Sequence, residues 1–467
     1  MTFHHPLYRR LVLEPTYANA SRYLFGPMLA ANRAHARMLA RQGLIGEACR
    51  DRILDALARI EALGIGAFPY QPPTEDLFFA IEGKVIELAG PECGGNLQLA
   101  RSRNDLGAAL ARMALRELQG RLIEAQKRLR GAILGQARAH LGTLMPGHTH
   151  TQPAQPTTLA HYLMAVASAL ARDTERMRQA RAVTNRSPLG AAAFTTTGFP
   201  IDREWVAREL GFDGLALNAH DAIGAADHYL QTASALQIMA SGLTRFCHDL
   251  LIMATREVGA LTVDDSFIQI SSIMPQKRNP VVLEHLRARL ANLYGGAQTV
   301  FTQAHNVFYG DTQDIEDEMH DPFFALCELA IDCLDLLTAT VETLAIDTAR
   351  LAGRAAAGFT TATELADALV RERGYAFRAA HAITSRVVRG ALAAGIEPTG
   401  VTAAMINAAI DAAGLARPVP PIDDAFARRA LDPALFVASR NIPGGVGRQA
   451  AEAMLAGLEA ELAATAV

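Results

Sequence analysis

Between Ala222 and Met253, apolar residues return every seven positions in two interleaved series. Ala222, Tyr229, Leu236, Leu243 and Leu250 form the first; Ala225, Thr232, Met239, Phe246 and Met253 form the second, three positions later. That alternation of threes and fours is the seam along which long helices pack. It predicts one helix over residues 221–257, roughly 50 Å long at 1.5 Å per residue. A rod of that length needs other long helices beside it, from this chain or from its copies. Proline spacing supplies them. Residues 201–274, 281–321 and 323–397 contain no proline, and such intervals leave room for unbroken helix. Residues 105–141, 157–183, 280–302 and 323–344 are the expected neighbours, giving a central five-helix bundle.

Composition agrees with this reading. Half of the 467 residues are hydrophobic and only 6% are aromatic, which favours closely packed helices over sheet. An all-α fold follows. The length exceeds one compact core, so three units are expected: residues 1–104, the bundle at 105–350, and residues 351–467. The net charge of −4, without a basic tract, argues against nucleic acid and anionic membranes as partners. No run of about eighteen uncharged apolar residues predicts a membrane span. The opening Met1-Thr2-Phe3-His4-His5-Pro6 lacks the apolar core of a signal peptide, so a cytoplasmic protein is expected. The five cysteines, odd in number and without a C-x-x-C pair, read as buried thiols in a reducing compartment.

Chemistry concentrates in four places. Ser271-Ser272-Ile273-Met274-Pro275-Gln276-Lys277-Arg278-Asn279-Pro280 begins small and hydroxylic, becomes cationic, and ends in a helix-start signal. Asn279 suits the cap and Pro280 the first helical position. A loop carrying hydroxyls and a lysine against a helix N-terminus suits an anion. In Arg101-Ser102-Arg103-Asn104-Asp105, Ser102 or Asn104 caps a long helix and Arg103 offers a planar fork to a carboxylate; alone, such a run is more often a solvated helix start. The loop from Gly147 to Pro156 holds His148 and His150 without a third ligand at metal spacing. Bracketed by glycine and proline, it presents a histidine as acid or base rather than a metal site. Phe308-Tyr309-Gly310-Asp311-Thr312-Gln313-Asp314-Ile315-Glu316-Asp317 reads by itself as a solvated acidic connector.

Taken in order, these clusters resemble argininosuccinate lyase and its relative δ-crystallin, within the fumarase/aspartase superfamily. The 271–280 run resembles the superfamily's S-S-x-M-P loop. The later runs Phe199-Pro200-Ile201-Asp202, Asp264-Asp265-Ser266-Phe267, Thr363-Glu364-Leu365-Ala366-Asp367, Leu431-Asp432-Pro433 and Arg440-Asn441 separate this family from fumarase and aspartase. The resemblance implies a three-domain helical subunit and a homotetramer whose sites each combine three subunits. The implied reaction is reversible β-elimination of an N-substituted aspartate, releasing fumarate and an amine, with no cofactor and no metal. Ser271 matches the base that takes the Cβ proton, and Lys277 supports the resulting negative charge. His150 matches the group that passes a proton to the leaving nitrogen, and Glu284 matches the carboxylate paired with it. Ser102, Arg103, Asn104, Thr149, Gln152, Met274, Asn279 and Gln313 match substrate contacts.

The departures fall on the amine side. Phe308 replaces a tyrosine and Glu316 a lysine, and Gln313 alone of these three contacts remains. Met28 and Asn32 stand where an aspartate and a serine face the substrate, and Gly224-Ala225-Ala226-Asp227 replaces a polar run. A hydrogen bond to a charged group contributes about 1.5–3 kcal/mol, so losing several changes which amine is accepted. The pattern implies the same elimination on a different N-succinyl amine, with ethylenediamine-disuccinate lyase the nearest named relative. The alternatives are argininosuccinate lyase itself and an inactive crystallin-like structural protein. The joint presence of Ser271, Lys277 and His150 argues against the latter.

Overall fold

The computed structural model describes residues 4–466. The first three residues of the start read for a signal peptide lie outside the described residues. Three helices open the chain's first apolar cluster: α1 (Phe25–Arg41), α2 (Glu47–Leu63) and α3 (Leu77–Ala89). Ile53, Ala56, Leu57 and Ile60 of α2, and Leu77, Ile81, Val85 and Ala89 of α3, recur at helical spacing and are fully buried together. Cys49 in α2 is joined by a disulfide to Cys93. This corrects the reading of five thiols; Cys247, Cys327 and Cys333 are free and buried.

Five long helices follow. They are α4 (Arg103–Ala139), α5 (Leu159–Thr184), α6 (Asp227–Ala254), α7 (Val281–Ala304) and α8 (Asp317–Glu342). They pack in a closed ring, α4 on α5, α5 on α6, α6 on α7, α7 on α8 and α8 back on α4. Successive helices run in opposite directions, so the bundle has two ends. At 1.5 Å per residue, the 37 residues of α4 span roughly 55 Å and the 24 of α7 roughly 36 Å. Polar groups set the register inside this apolar ring. Gln119 on α4 donates to Thr184 on α5 at 2.9 Å and to Thr232 on α6 at 2.8 Å.

The expected seam is real but its surroundings differ. Tyr229, Thr232, Leu236, Met239, Leu243, Phe246 and Leu250 are buried against this chain's own helices. The face α6 leaves exposed carries Ile238 and Ile252 instead. The expected single helix is also interrupted. A short helix, Ala219–Gly224, ends where Ala225 turns extended, and α6 starts at Asp227. Backbone crowding locates the break: a Cβ on Gly224 would lie 2.9 Å from the nitrogen of Gly310. Helix α8 begins earlier than expected and carries Pro322 inside it.

The fold is all-α, and its strands are short antiparallel pairs. The longest are β1 (Leu144–Thr149) and β2 (Gln152–Thr158), so the expected 147–156 loop is a hairpin. Residues 359–431 form a separate apolar cluster of short helices. The last helix, α9 (Arg448–Ala464), leaves that cluster and packs on α4 and α5.

Candidate active site

At one end of the bundle, Ser102 caps α4. Its Oγ accepts from the N–H of Asn104 at 3.3 Å, and Asp105 returns a bond to the N–H of Ser102 at 3.0 Å. The second oxygen of Asp105 accepts from Gly190 and Ala192 at 2.8 and 3.0 Å, tying the helix start to the loop after α5. The following residues open onto a cavity of about 420 Å³. Arg103 on its rim donates to Asp76 at 2.9 Å and lies over the Phe79 ring. Asn104 donates to Asp311 at 2.7 Å. Met28, Gln313 and Glu316 also line this cavity, so five of the sequence-derived site residues meet there.

Glu316 is the unusual member. Burial first, then its hydrogen bond to Asp311 and the charges of Asp311 and Asp317, push its pKa up to about 9. Asp317 is raised to about 6, chiefly by burial and by the charge of Asp76. Glu316 and Asp317 are thus drawn into the cavity wall, while Asp311, Gln313 and Asp314 of the same connector stay exposed. Asp311, Glu75, Asp76 and His320 belong to the same cavity and carried no sequence signal of their own. Two expectations fall elsewhere. Asn32 is buried and accepts from Arg101 at 2.6 Å, so its side chain holds the run before α4 instead of facing the cavity. Phe308 is exposed, whereas the adjacent Tyr309 places its hydroxyl 2.6 Å from Asp221 and stacks on His220.

The remaining residues lie at the far end. Gln269–Ile270 pairs with Arg278–Asn279, so residues 271–277 form the tip of a small hairpin standing before α7. Asn279 is therefore a strand residue, and Pro280 takes the cap position in its place. Ser271 Oγ accepts from the backbone N–H of Met274 at 3.0 Å and from that of Ile273 at 3.4 Å. Two donors aimed at one hydroxyl oxygen favour its deprotonated form. Met274, Lys277 and Ser272 are exposed on the same tip.

Thr149 and Gln152 are the last paired residues of the β1–β2 hairpin. His150 and Thr151 make its turn with φ of 52° and 65°, the left-handed pair that this tight turn requires. The turn projects His150 into solvent. Behind it the hairpin is held by the C-terminal cluster, where Gln155 donates to Thr363 at 3.0 Å, and at the start of α5 His161 meets the carbonyl of Gly444 at 3.1 Å. Glu284 sits in the first turn of α7, close in sequence to the Ser271 loop. Among the described residues no hydrogen bond or ion pair joins His150 to Glu284, and no set of His, Cys, Asp or Glu is arranged to hold a metal ion.

One chain therefore presents a carboxylate-lined cavity at one end and a serine loop with a histidine hairpin at the other. Two family models match the sequence, one described as Lyase over residues 17–295 and one as Argininosuccinate lyase C-terminal over residues 359–438. Argininosuccinate lyase 1 of Shouchella clausii is 34% identical over 435 residues, covering 93% of this chain and 87% of its own length. The chain belongs to the argininosuccinate lyase family. The argininosuccinate lyase of Natronomonas pharaonis is 40% identical over 422 residues, covering 90% of this chain and 82% of its own. Among solved structures, a variant of EDDS lyase with bound fumarate superposes with a TM-score of 0.83 at 30% identity, covering 98% of this chain and 90% of that one. The protein is a carbon–nitrogen lyase that eliminates fumarate. No helix of the described residues is long and apolar enough to cross a membrane.

Several family motifs have structural work here. Asp202, Asp264 and Asp432 each cap a short helix. Glu364 is buried between Arg371 and Arg440, the latter 2.8 Å away.

Proposed function

We propose that this lyase releases fumarate from an N-(1,2-dicarboxyethyl) amine whose amine half is not arginine. The observation that carries the reading is Glu316. It stands where the resemblance expects a lysine, and it lines the cavity together with Asp311. An amino acid's α-carboxylate meets acids there instead of an ammonium. The Ser102-Arg103-Asn104 run supports retention of the fumarate half.

In this reading Ser271 Oγ, as the alkoxide, takes the proton from Cβ. The C–H electrons pass through the aci-carboxylate to form the double bond, the C–N bond breaks, and His150 supplies a proton to the nitrogen, directly or through water. The Met274 N–H, Lys277 and Asn279 stabilise negative charge, each preorganised donor contributing roughly 3 kcal/mol. Glu284 orients His150. Thr149, Gln152 and Met274 complete the substrate contacts. Arg103 exchanges Asp76 for a substrate carboxylate. Because the two groups of residues occupy opposite ends of one chain, a working site draws them from different copies, and we propose a homotetramer.

Fumarate absorbance recorded with argininosuccinate and with other N-succinyl amines tests the reading. A kcat/KM for argininosuccinate near 10⁴ M⁻¹s⁻¹, about the lower end for ordinary enzymes, would restore arginine as the amine.

A further inference from the structure

The cavity at the start of α4 holds more acid than any salt bridge in it uses. Glu75, Asp76, Asp311, Glu316 and Asp317 line it, and among its lining side chains Arg103, already paired with Asp76, is the one Lys or Arg. A second feature is independent of that charge. His320, 5% exposed, lines the same cavity and its ring makes no side-chain hydrogen bond among the described residues. Burial holds this imidazole neutral, with its pKa lowered to about 4. A neutral ring supplies a lone pair, which fits an N–H donor. Between these groups the wall is apolar, with Leu24, Met28, Leu106 and Leu110 available to a methylene chain.

Charge and hydrogen bonding select the ligand. An amine with a carboxylate at its far end would bring like charge against the single negative charge that the Glu316–Asp311 pair keeps while Glu316 holds its proton, which is costly. An amine with a bare alkyl end would leave the His320 ring unpaired. We propose that the amine half of the substrate is a short diamine, whose second, protonated nitrogen seats against the Glu316–Asp311 pair beside His320 while the first is the nitrogen released from fumarate. This assignment rests on the lyase reading above and replaces a carboxylate-bearing amine with a cationic one.

Fumarate addition is measured with diaminopropane, propylamine and β-alanine, which share a chain length and differ in the far group. Diaminopropane is expected to exceed propylamine by at least about tenfold in kcat/KM, the effect of one charge-assisted hydrogen bond, with β-alanine poorest. In Asp311→Asn, checked for cooperative melting, the diaminopropane-to-propylamine ratio should collapse towards one, whereas Glu316→Gln leaves the pair's negative charge in place and should keep diaminopropane ahead. Parity among the three amines, or a ratio that survives Asp311→Asn, overturns the proposal while leaving the lyase intact. If no amine consumes fumarate, calorimetric titration with diaminopropane and propylamine decides. Selective diamine binding upholds the cavity assignment and overturns the reaction proposed above for it; equal or absent binding overturns the diamine assignment itself.

Discussion

Serine is a weak base, and at Ser271 the backbone compensates. The N–H groups of Met274 and Ile273 converge on its Oγ because the hairpin pairing of Gln269–Ile270 with Arg278–Asn279 folds the loop back on itself. On the proposed mechanism, Ser271→Ala removes the acceptor of the Cβ proton and should lower turnover 10²–10⁴-fold, the usual loss for a catalytic base. Activity within about tenfold of the parent would assign the proton transfer elsewhere. Glu316 gives a second expectation. Its folded-state pKa, near 9, lies above the ordinary carboxylate range. The folded chain therefore keeps a proton that the unfolded chain has released, and stability falls as pH rises from the ordinary carboxylate value through about 9. Glu316→Gln cannot ionise and escapes that loss. Its melting temperature relative to the parent should rise by about 2 °C or more between about pH 5 and pH 9; a pH-independent difference would show Glu316 to be solvated. Ser271 lies in a run with its own local pattern, whereas Arg103 and Glu316 stood out in the sequence only through the family resemblance. Asp311 and His320 were not readable there, since each acquires its role only when the connector meets α4.

Elements reveal which signals are local. The bundle helices were readable because their apolar periodicity repeats over many turns. The hairpin carrying His150 was not. Pro153 and Pro156 argue against a strand, yet each strand of a two-stranded pair has a free edge, where a missing N–H leaves nothing unpaired. The cap at Asn279 was displaced for a similar reason, because its pairing with Gln269 holds it in a strand. The break before α6 depends on contact between segments far apart in sequence. Gly224 lies against Gly310 and Tyr309, where an added Cβ would stand 2.9 Å from the Gly310 nitrogen and 3.1 Å from Tyr309 Cδ1. Gly224→Ala should push the connector away from the cavity, strain the Tyr309–Asp221 hydrogen bond and cost about 1–3 kcal/mol, as overpacking does. A lower melting temperature together with a raised KM for the amine, and not for fumarate, is the expected signature. An unaltered amine KM would separate Gly224 from the placement of the connector.

The whole molecule sets a constraint that neither residues nor elements state. The seam that suggested assembly is consumed inside one chain, where Leu236, Met239 and Leu243 are buried. The argument for assembly passes instead to the length of the helices. With α7 spanning roughly 36 Å between the Ser271 loop before it and the Glu316 connector after it, the proposed roles of both on one substrate require two copies. A small dicarboxylate amine extends only a fraction of that distance, and helices packed in a closed ring do not bend to bring their ends together. On the proposed mechanism, copies would lie antiparallel, the cavity end of one against the serine end of another. Two inactive variants with lesions at opposite ends, Ser271→Ala and Arg103→Ala, should then restore activity when unfolded together and reassembled, because some mixed sites receive an intact Ser271 from one chain and an intact Arg103 from the other. Each variant reassembled alone should stay inactive, and sedimentation should give a species of four 50.0 kDa chains. A stable, active monomer, or mixtures no more active than their components, would mean that one chain completes its own site.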